Sequence, residues 1–165
     1  MTVMETIESR RSIRKYTDQP VEREKLQKIA EAMRLAPSAR NRQQWRFIFV
    51  EDAATRAEIG KSAEIAWLAS APVILVACGT DDGVMTNSHH SDTIDTSIAA
   101  SFGMLEATEL GLGTTWMAHY EEPAIRKILG LPDSMTVVCL LSIGYAAEEG
   151  RPRSRKALED IVEYR

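Results

Sequence analysis

Seven consecutive apolar residues near the middle of the chain, Pro72-Val73-Ile74-Leu75-Val76-Ala77-Cys78, constrain the fold more than any other feature. The run has the length of one buried strand and falls far short of the roughly 20 residues that span a bilayer. The chain must therefore wrap other elements around it. A second core strand is expected over residues 135–145, a third at Trp45, Phe47, Phe49 and Val50, and a short one over 114–118. At 165 residues the chain fits one domain, 1–165, with a substantial core.

Helical patterns separate these runs. Thr2 followed by Glu5 fits a capping box for a short first helix. Residues 10–16 read as non-helical, closed by Asp18 and Pro20. Leu26, Ile29, Ala30 and Met33 recur at helical spacing over 22–35, and the helix ends at Ala36-Pro37 because proline disfavours helical geometry before it. A helix is expected over 53–68, and 79–87 reads as a loop. The longest helix covers 93–110, with Ile94, Ile98, Phe102, Leu105 and Glu109 on one stripe widened by Ala99 and Ala107. Its small residues suit close packing, either against a second subunit or within the core. Residues 122–129 suit a short helix with Pro123 in its first turn and Gly130 at its stop, and a last short helix fits 156–163. The order is no βαβ series. It favours an α+β sandwich, helices around a small sheet.

Twenty basic and twenty-four acidic residues give a net charge of −4, which opposes a general nucleic-acid role and suits the cytoplasm. The N-terminus lacks the apolar core of a signal peptide. Cys78 and Cys139 each sit in an apolar run and read as buried thiols, a disulfide between them being the minor alternative. His89 and His90, even with Asp92 nearby, lack the spacing of a metal site and read as a loop rim or a substrate-side pair.

The basic residues are concentrated. Arg10, Arg11, Arg14 and Lys15 form one cluster, and Arg151, Arg153, Arg155 and Lys156 another. Either they collect charge for a small anion or they are two solvated ends. Arg10-Arg11-Ser12-Ile13-Arg14 offers the guanidinium and hydroxyl donors a phosphate needs, and an extended backbone would turn Arg10, Ser12 and Arg14 to one side. A second segment, Pro37-Ser38-Ala39-Arg40-Asn41-Arg42-Gln43-Gln44-Trp45, gathers amide and hydroxyl groups beside an aromatic. It suits the polar edge of a flat ring, or an ordinary cap and turn.

Taken in order, these segments resemble the nitroreductase-like flavoproteins. Residues 8–16 resemble that family's opening phosphate motif. Residues 36–47 resemble its flavin-contacting loop, with Gln44 where proline is common. Leu110-Gly111-Leu112-Gly113-Thr114-Thr115-Trp116-Met117 resembles its helix–strand junction near the isoalloxazine ring. Leu129-Gly130-Leu131-Pro132, Leu141-Ser142-Ile143-Gly144-Tyr145 and Arg153-Ser154-Arg155 continue the register.

The resemblance implies an α+β sandwich with a central mixed, mainly antiparallel sheet, and a homodimer holding FMN at its interface. It implies phosphate contacts from Arg10, Ser12, Arg14, Arg153 and Arg155, with Arg11 either joining them or facing solvent. Pro37, Ser38 and Asn41 would face the ring across the interface. Thr115, Trp116 and Met117 would bring backbone groups to the ring edge, with Trp116 structural, and His119 would lie just beyond. NADH or NADPH would reduce the flavin, and a nitroaromatic, quinone or related conjugated small molecule would reoxidise it, so no side chain need act as nucleophile or metal ligand. Ala63 and Ala66 stand where larger relatives place ring-contacting polar side chains. The short stretch after Arg155 argues against a long arm around the partner. Reductive dehalogenation, or flavin sensing or storage without turnover, are the rival readings.

Overall fold

The computed structural model describes residues 1–80 and 83–165. Asp81 and Asp82, part of the loop expected at 79–87, lie outside the described residues. Four strands form the sheet: β1 (Trp45–Val50), β2 (Val73–Gly79), β3 (Gly113–Met117) and β4 (Thr136–Gly144). They lie in the order β1-β2-β4-β3, and every neighbouring pair is antiparallel. A parallel bridge between Ser12 and Thr114, at the outer side of β3, makes the sheet mixed.

Helices cover both faces, which explains why β2 has no polar alternation. Val73, Leu75 and Ala77 face one core with Leu26, Ile29 and Met33 of α2 (Arg23–Arg34) and the small residues of α4 (Ser91–Glu109). Ile74, Val76 and Cys78 face the other core with Ile59 of α3 (Ala53–Ser62) and Ile125 of α5 (Glu122–Leu129). Each large buried aliphatic contributes about 1.5–3 kcal/mol from burial, so β2 anchors both layers. A register shift opposite Ala77/Cys78 realigns β4, sending Val137 to the second core and Cys139 to the first.

Cys78 and Cys139 are free thiols on opposite faces of the sheet, so no disulfide joins them. Burial pushes the Cys78 thiol up to about 11 and that of Cys139 up to about 12.

The expected caps form. Thr2 and Glu5 make a reciprocal capping box on α1 (Val3–Ser9), and Gly130 ends α5 in the left-handed region at φ 62°.

Two expectations are corrected. The helix expected to reach residue 68 stops at Ser62, where Glu64 turns left-handed at φ 54°, and the chain resumes as a 3-10 helix, Ala66–Ser70. The last helix shrinks to one 3-10 turn, Leu158–Asp160, because its side chains find no core to cover them. On α4, where close packing within the core or against a second subunit was open, Ala99, Ala100, Gly103 and Ala107 are buried, while Ile94 and Phe102 of the apolar stripe are exposed. A Cβ at Gly103 would meet Met33 Cγ at 2.6 Å, so the small residues serve the contact with α2 within the chain.

Candidate functional site

The N-terminal basic segment is held against the sheet edge by one buried knot. Ile13 donates its amide to the Thr114 carbonyl at 3.0 Å. Its own carbonyl accepts from the Tyr16 hydroxyl and from Thr115 Oγ1, each at 2.6 Å. Ser142 Oγ lies 2.6 Å from the Tyr16 oxygen and accepts the Thr115 amide at 3.2 Å. With the Tyr16 proton directed to Ile13, Ser142 is the donor between those two hydroxyls. Burial pushes the Tyr16 phenol up to about 12, which keeps it a neutral donor. Ile13 is thus fixed inward, and the charged residues beside it stay on the surface.

The chain's other end joins them there. The Lys15 carbonyl accepts the Ala147 amide at 2.9 Å, and the Arg14 amide donates to Glu148 Oε1 at 2.7 Å. Gly150 passes so near that a Cβ on it would collide with Arg11 Cβ. Residues 151–155 therefore run beside residues 10–12.

Two adjoining cavities result. One, about 330 Å³, is lined by Arg10, Arg11, Ser12, Arg151, Arg153 and Arg155, with Ile7, Glu8 and Pro152 at its margin. The other, about 400 Å³, shares Ser12, Arg151 and Arg153 and adds Arg14, Lys15, Trp67 and Glu148. Arg14 is thereby separated from Arg10: its guanidinium carbon lies 5.8 Å from the centre of the Trp67 ring. Arg11 turns its guanidinium back onto the Glu8 and Arg10 carbonyls. Burial, then the charges of Arg155 and Arg11, lower the Arg10 guanidinium from its usual value. Among the described residues none of these arginines forms a salt bridge. Converging guanidinium groups without carboxylate partners suit a phosphate, the group that relieves their repulsion and accepts their hydrogen bonds.

The Pro37–Asn41 segment lies elsewhere. It leads into β1, at the far edge of the sheet from β3, and pairing sets Trp45 opposite Gly79 and Gly79 opposite Thr136. The basic segment meets the other end, where Gly113 pairs with Gly144. The two segments occupy diagonal corners: the β1 and β3 edges are three strand spacings, roughly 14 Å, apart, the basic segment lies outside β3, and most of the length of β4 separates them along the strands. Pro37 and Asn41 are exposed and Ser38 is half-buried. Arg40, Asn41 and Gln43 all adopt positive φ, at 54°, 55° and 55°. Ser38 Oγ accepts the Gln43 amide at 3.0 Å, and buried Asp95 of α4 accepts the Ala39 amide at 2.9 Å.

The β3 residues turn their side chains inward: Thr115 into the knot, Trp116 against the first core and Met117 into the second. Ala118 and His119 follow, both exposed, as are His89 and His90 at the entry to α4. Ala63 is buried and Ala66 is exposed. Among the described residues no helix is long and apolar enough to cross a membrane.

Sequence reading missed Trp67, Asp95 and the part played by Arg151. Arg151 carried a signal, its place in the C-terminal basic cluster. So did Asp95, a carboxylate one turn before the buried alanines of α4. Trp67 carried none.

Known proteins share this fold. The family model described as "Nitroreductase family" matches residues 7–73 and 64–145. The NADH dehydrogenase of Thermus thermophilus is 31% identical over 189 residues, covering 94% of this chain and 92% of that protein. A nitroreductase family protein from Clostridium difficile 630 superposes with a TM-score of 0.90 at 33% identity, covering 99% of this chain and 98% of that one. An FMN-dependent nitroreductase from Clostridium difficile R20291 gives 0.85 at 32% identity, covering 98% of each chain. The order of the motifs, the antiparallel sheet between helical layers and these matches together make the chain a member of the nitroreductase family.

Proposed function

We propose that this chain is an FMN-dependent NAD(P)H oxidoreductase, working as a homodimer with an FMN at each of two equivalent sites between protomers. One observation carries the reading: the phosphate-suited corner and the ring-suited loop lie at diagonal corners of the sheet, so one chain cannot close both around one flavin. A twofold partner brings the loop of one protomer to the basic corner of the other.

The uncovered apolar surface supports such a partner. Val3, Met4 and Ile7 of α1, Ile94 and Phe102 of α4, and Leu158, Ile161 and Tyr164 of the tail are all exposed. A groove of about 570 Å³ lined by Met1, Val3, Ala32, Phe102 and Leu105 runs between α1 and α4. Isolated exposed apolar residues are ordinary, but a contiguous set marks an interface. The tail, expected to be too short for an arm, is exposed from residue 151 onward. We include it in the interface.

Within the site, Arg10, Ser12, Arg153 and Arg155 hold the phosphate, and Arg151 closes the shared wall. Arg14, moved aside onto Trp67, contributes from the second cavity. Arg11 orders the backbone of residues 8–10. Pro37, Ser38 and Asn41 of the partner's loop meet the ring, and the end of β3 borders it. FMN held by these residues would supply the redox chemistry, hydride acceptance from a nicotinamide and electron transfer to a conjugated acceptor such as a nitroaromatic or quinone.

Light scattering with FMN titration tests the assembly: a dimer binding two FMN is expected, and a stable monomer binding FMN at ordinary affinity would refute it. NAD(P)H-dependent bleaching of the flavin, followed by acceptor-dependent recovery, separates an enzyme from a flavin store.

A further inference from the structure

We infer that Asp95 is a positioning residue for the ring-facing loop, acting from α4 through the Ala39 amide. Its effect on the cofactor rests on the function proposed above. Three observations meet here. The loop is strained, because Arg40, Asn41 and Gln43 all occupy the left-handed region without being glycine. Such conformations persist only where surrounding structure over-determines them.

The strained turn spans Ala39–Asn41, and its first amide donates to Asp95 Oδ2 at 2.9 Å. Asp95 is 4% exposed, so the accepting carboxylate of this charge-assisted bond is buried beneath a half-buried amide. The neighbouring carboxylate is engaged differently, since Asp92 accepts the Thr93 amide within its own helix at 2.6 Å. Asp95 instead reaches across to the loop, 56 residues away in sequence. Ser38 completes the restraint by accepting the Gln43 amide.

A loop held at both ends of its strained turn presents Pro37 and Asn41 in one arrangement. Without Asp95 the turn relaxes toward ordinary backbone angles and those residues move. Asp95 is also adjacent to Ile94 on α4, so the helix that fixes the loop carries part of the exposed apolar face. Loop position and assembly are then set by one rigid element.

The test uses the full chain, with Asp95→Ala and Asp95→Asn, in two arms. In the FMN-free protein, amide hydrogen exchange is read across residues 38–44. Asp95→Ala should speed exchange at Ala39 about tenfold or more, leaving β2 and β4 protected. In the second arm, FMN affinity should fall about tenfold in Asp95→Ala, with a shift of the flavin's visible absorption that a merely less stable protein would not produce. Asp95→Asn should restore both, since its amide oxygen accepts the same N–H. Unchanged exchange at Ala39, or an Asn variant no better than Ala, overturns the inference. Failure of the parent chain to bind FMN would sink the proposed function instead, while the exchange arm still reads the Asp95–Ala39 bond by itself.

Discussion

The two corners of the sheet are built on opposite plans. At the basic corner the backbone is relaxed and the strain is electrostatic: like charges converge on two cavities with no salt bridge among the described residues. At the loop corner the strain is conformational, stored in three left-handed residues and restrained by a buried carboxylate and a serine. A ligand that binds the first corner removes repulsion. A ligand at the second exploits a shape already fixed. The first should therefore weigh mainly on affinity, and the second on orientation as well as affinity.

The largest expected effect comes from breaking the electrostatic corner. Combined Arg10→Ala and Arg155→Ala should weaken FMN binding by about a hundredfold or more, since each lost charge-assisted bond is worth roughly 1.5–3 kcal/mol. The melting temperature of the FMN-free protein should hold or rise, because like charges are removed. Titration and thermal melts of the same samples check both; a parallel loss of stability would mean that these arginines support the fold.

Next in size is Gly150→Val, which adds a branched side chain where even a Cβ would collide with Arg11 Cβ. Separating the two chain ends should cost about 1–3 kcal/mol of stability and weaken FMN binding as well. Urea unfolding and titration read the two losses together.

A smaller change should follow Arg14→Ala. Its guanidinium sits over Trp67 rather than in the cavity of Arg10, so FMN affinity should fall by less than the tenfold or more expected for Arg10→Ala. Trp67 should report the loss as altered fluorescence. An equal or larger affinity loss would return Arg14 to the phosphate.

The smallest effect belongs to the loop. Arg40→Gly places a permissive residue at φ 54° and should raise stability by about 0.5 kcal/mol, the relief of strain partly offset by chain entropy. FMN affinity should stay within about twofold as long as the Asp95–Ala39 bond is intact. Calorimetry and titration decide it, and a destabilised variant would mean that the Arg40 side chain itself holds the turn.

The fold was largely legible because its strongest signals are local. The unbroken apolar run gave β2, Pro123 and Gly130 bracketed α5, and Thr2 with Glu5 capped α1. What failed was set by distant contacts. Nothing near Ser62 announces that α3 stops, because a glutamate rather than a glycine takes the left-handed position. The apolar stripe of α4 was legible, but which part of it would be buried was not, because the close contact with α2 needs the small residues. At the site, the clustering of arginines could be read directly from the sequence. The separation of Arg14 from Arg10 depends on Trp67, and the loop's restraint depends on Asp95, both far away in sequence.

The two cysteines give the sheet a built-in chronometer. Each thiol lies in a different layer, sealed from solvent, with ionisation suppressed to about 11 and about 12. Since the thiolate is the reactive form, neither sulfur meets an alkylating reagent until the sheet opens. Labelling of Cys78 times exposure of the α3–α5 side and labelling of Cys139 times exposure of the α2–α4 side. Equal rates would mean that both layers leave the sheet together, whereas unequal rates would identify the layer that peels away first.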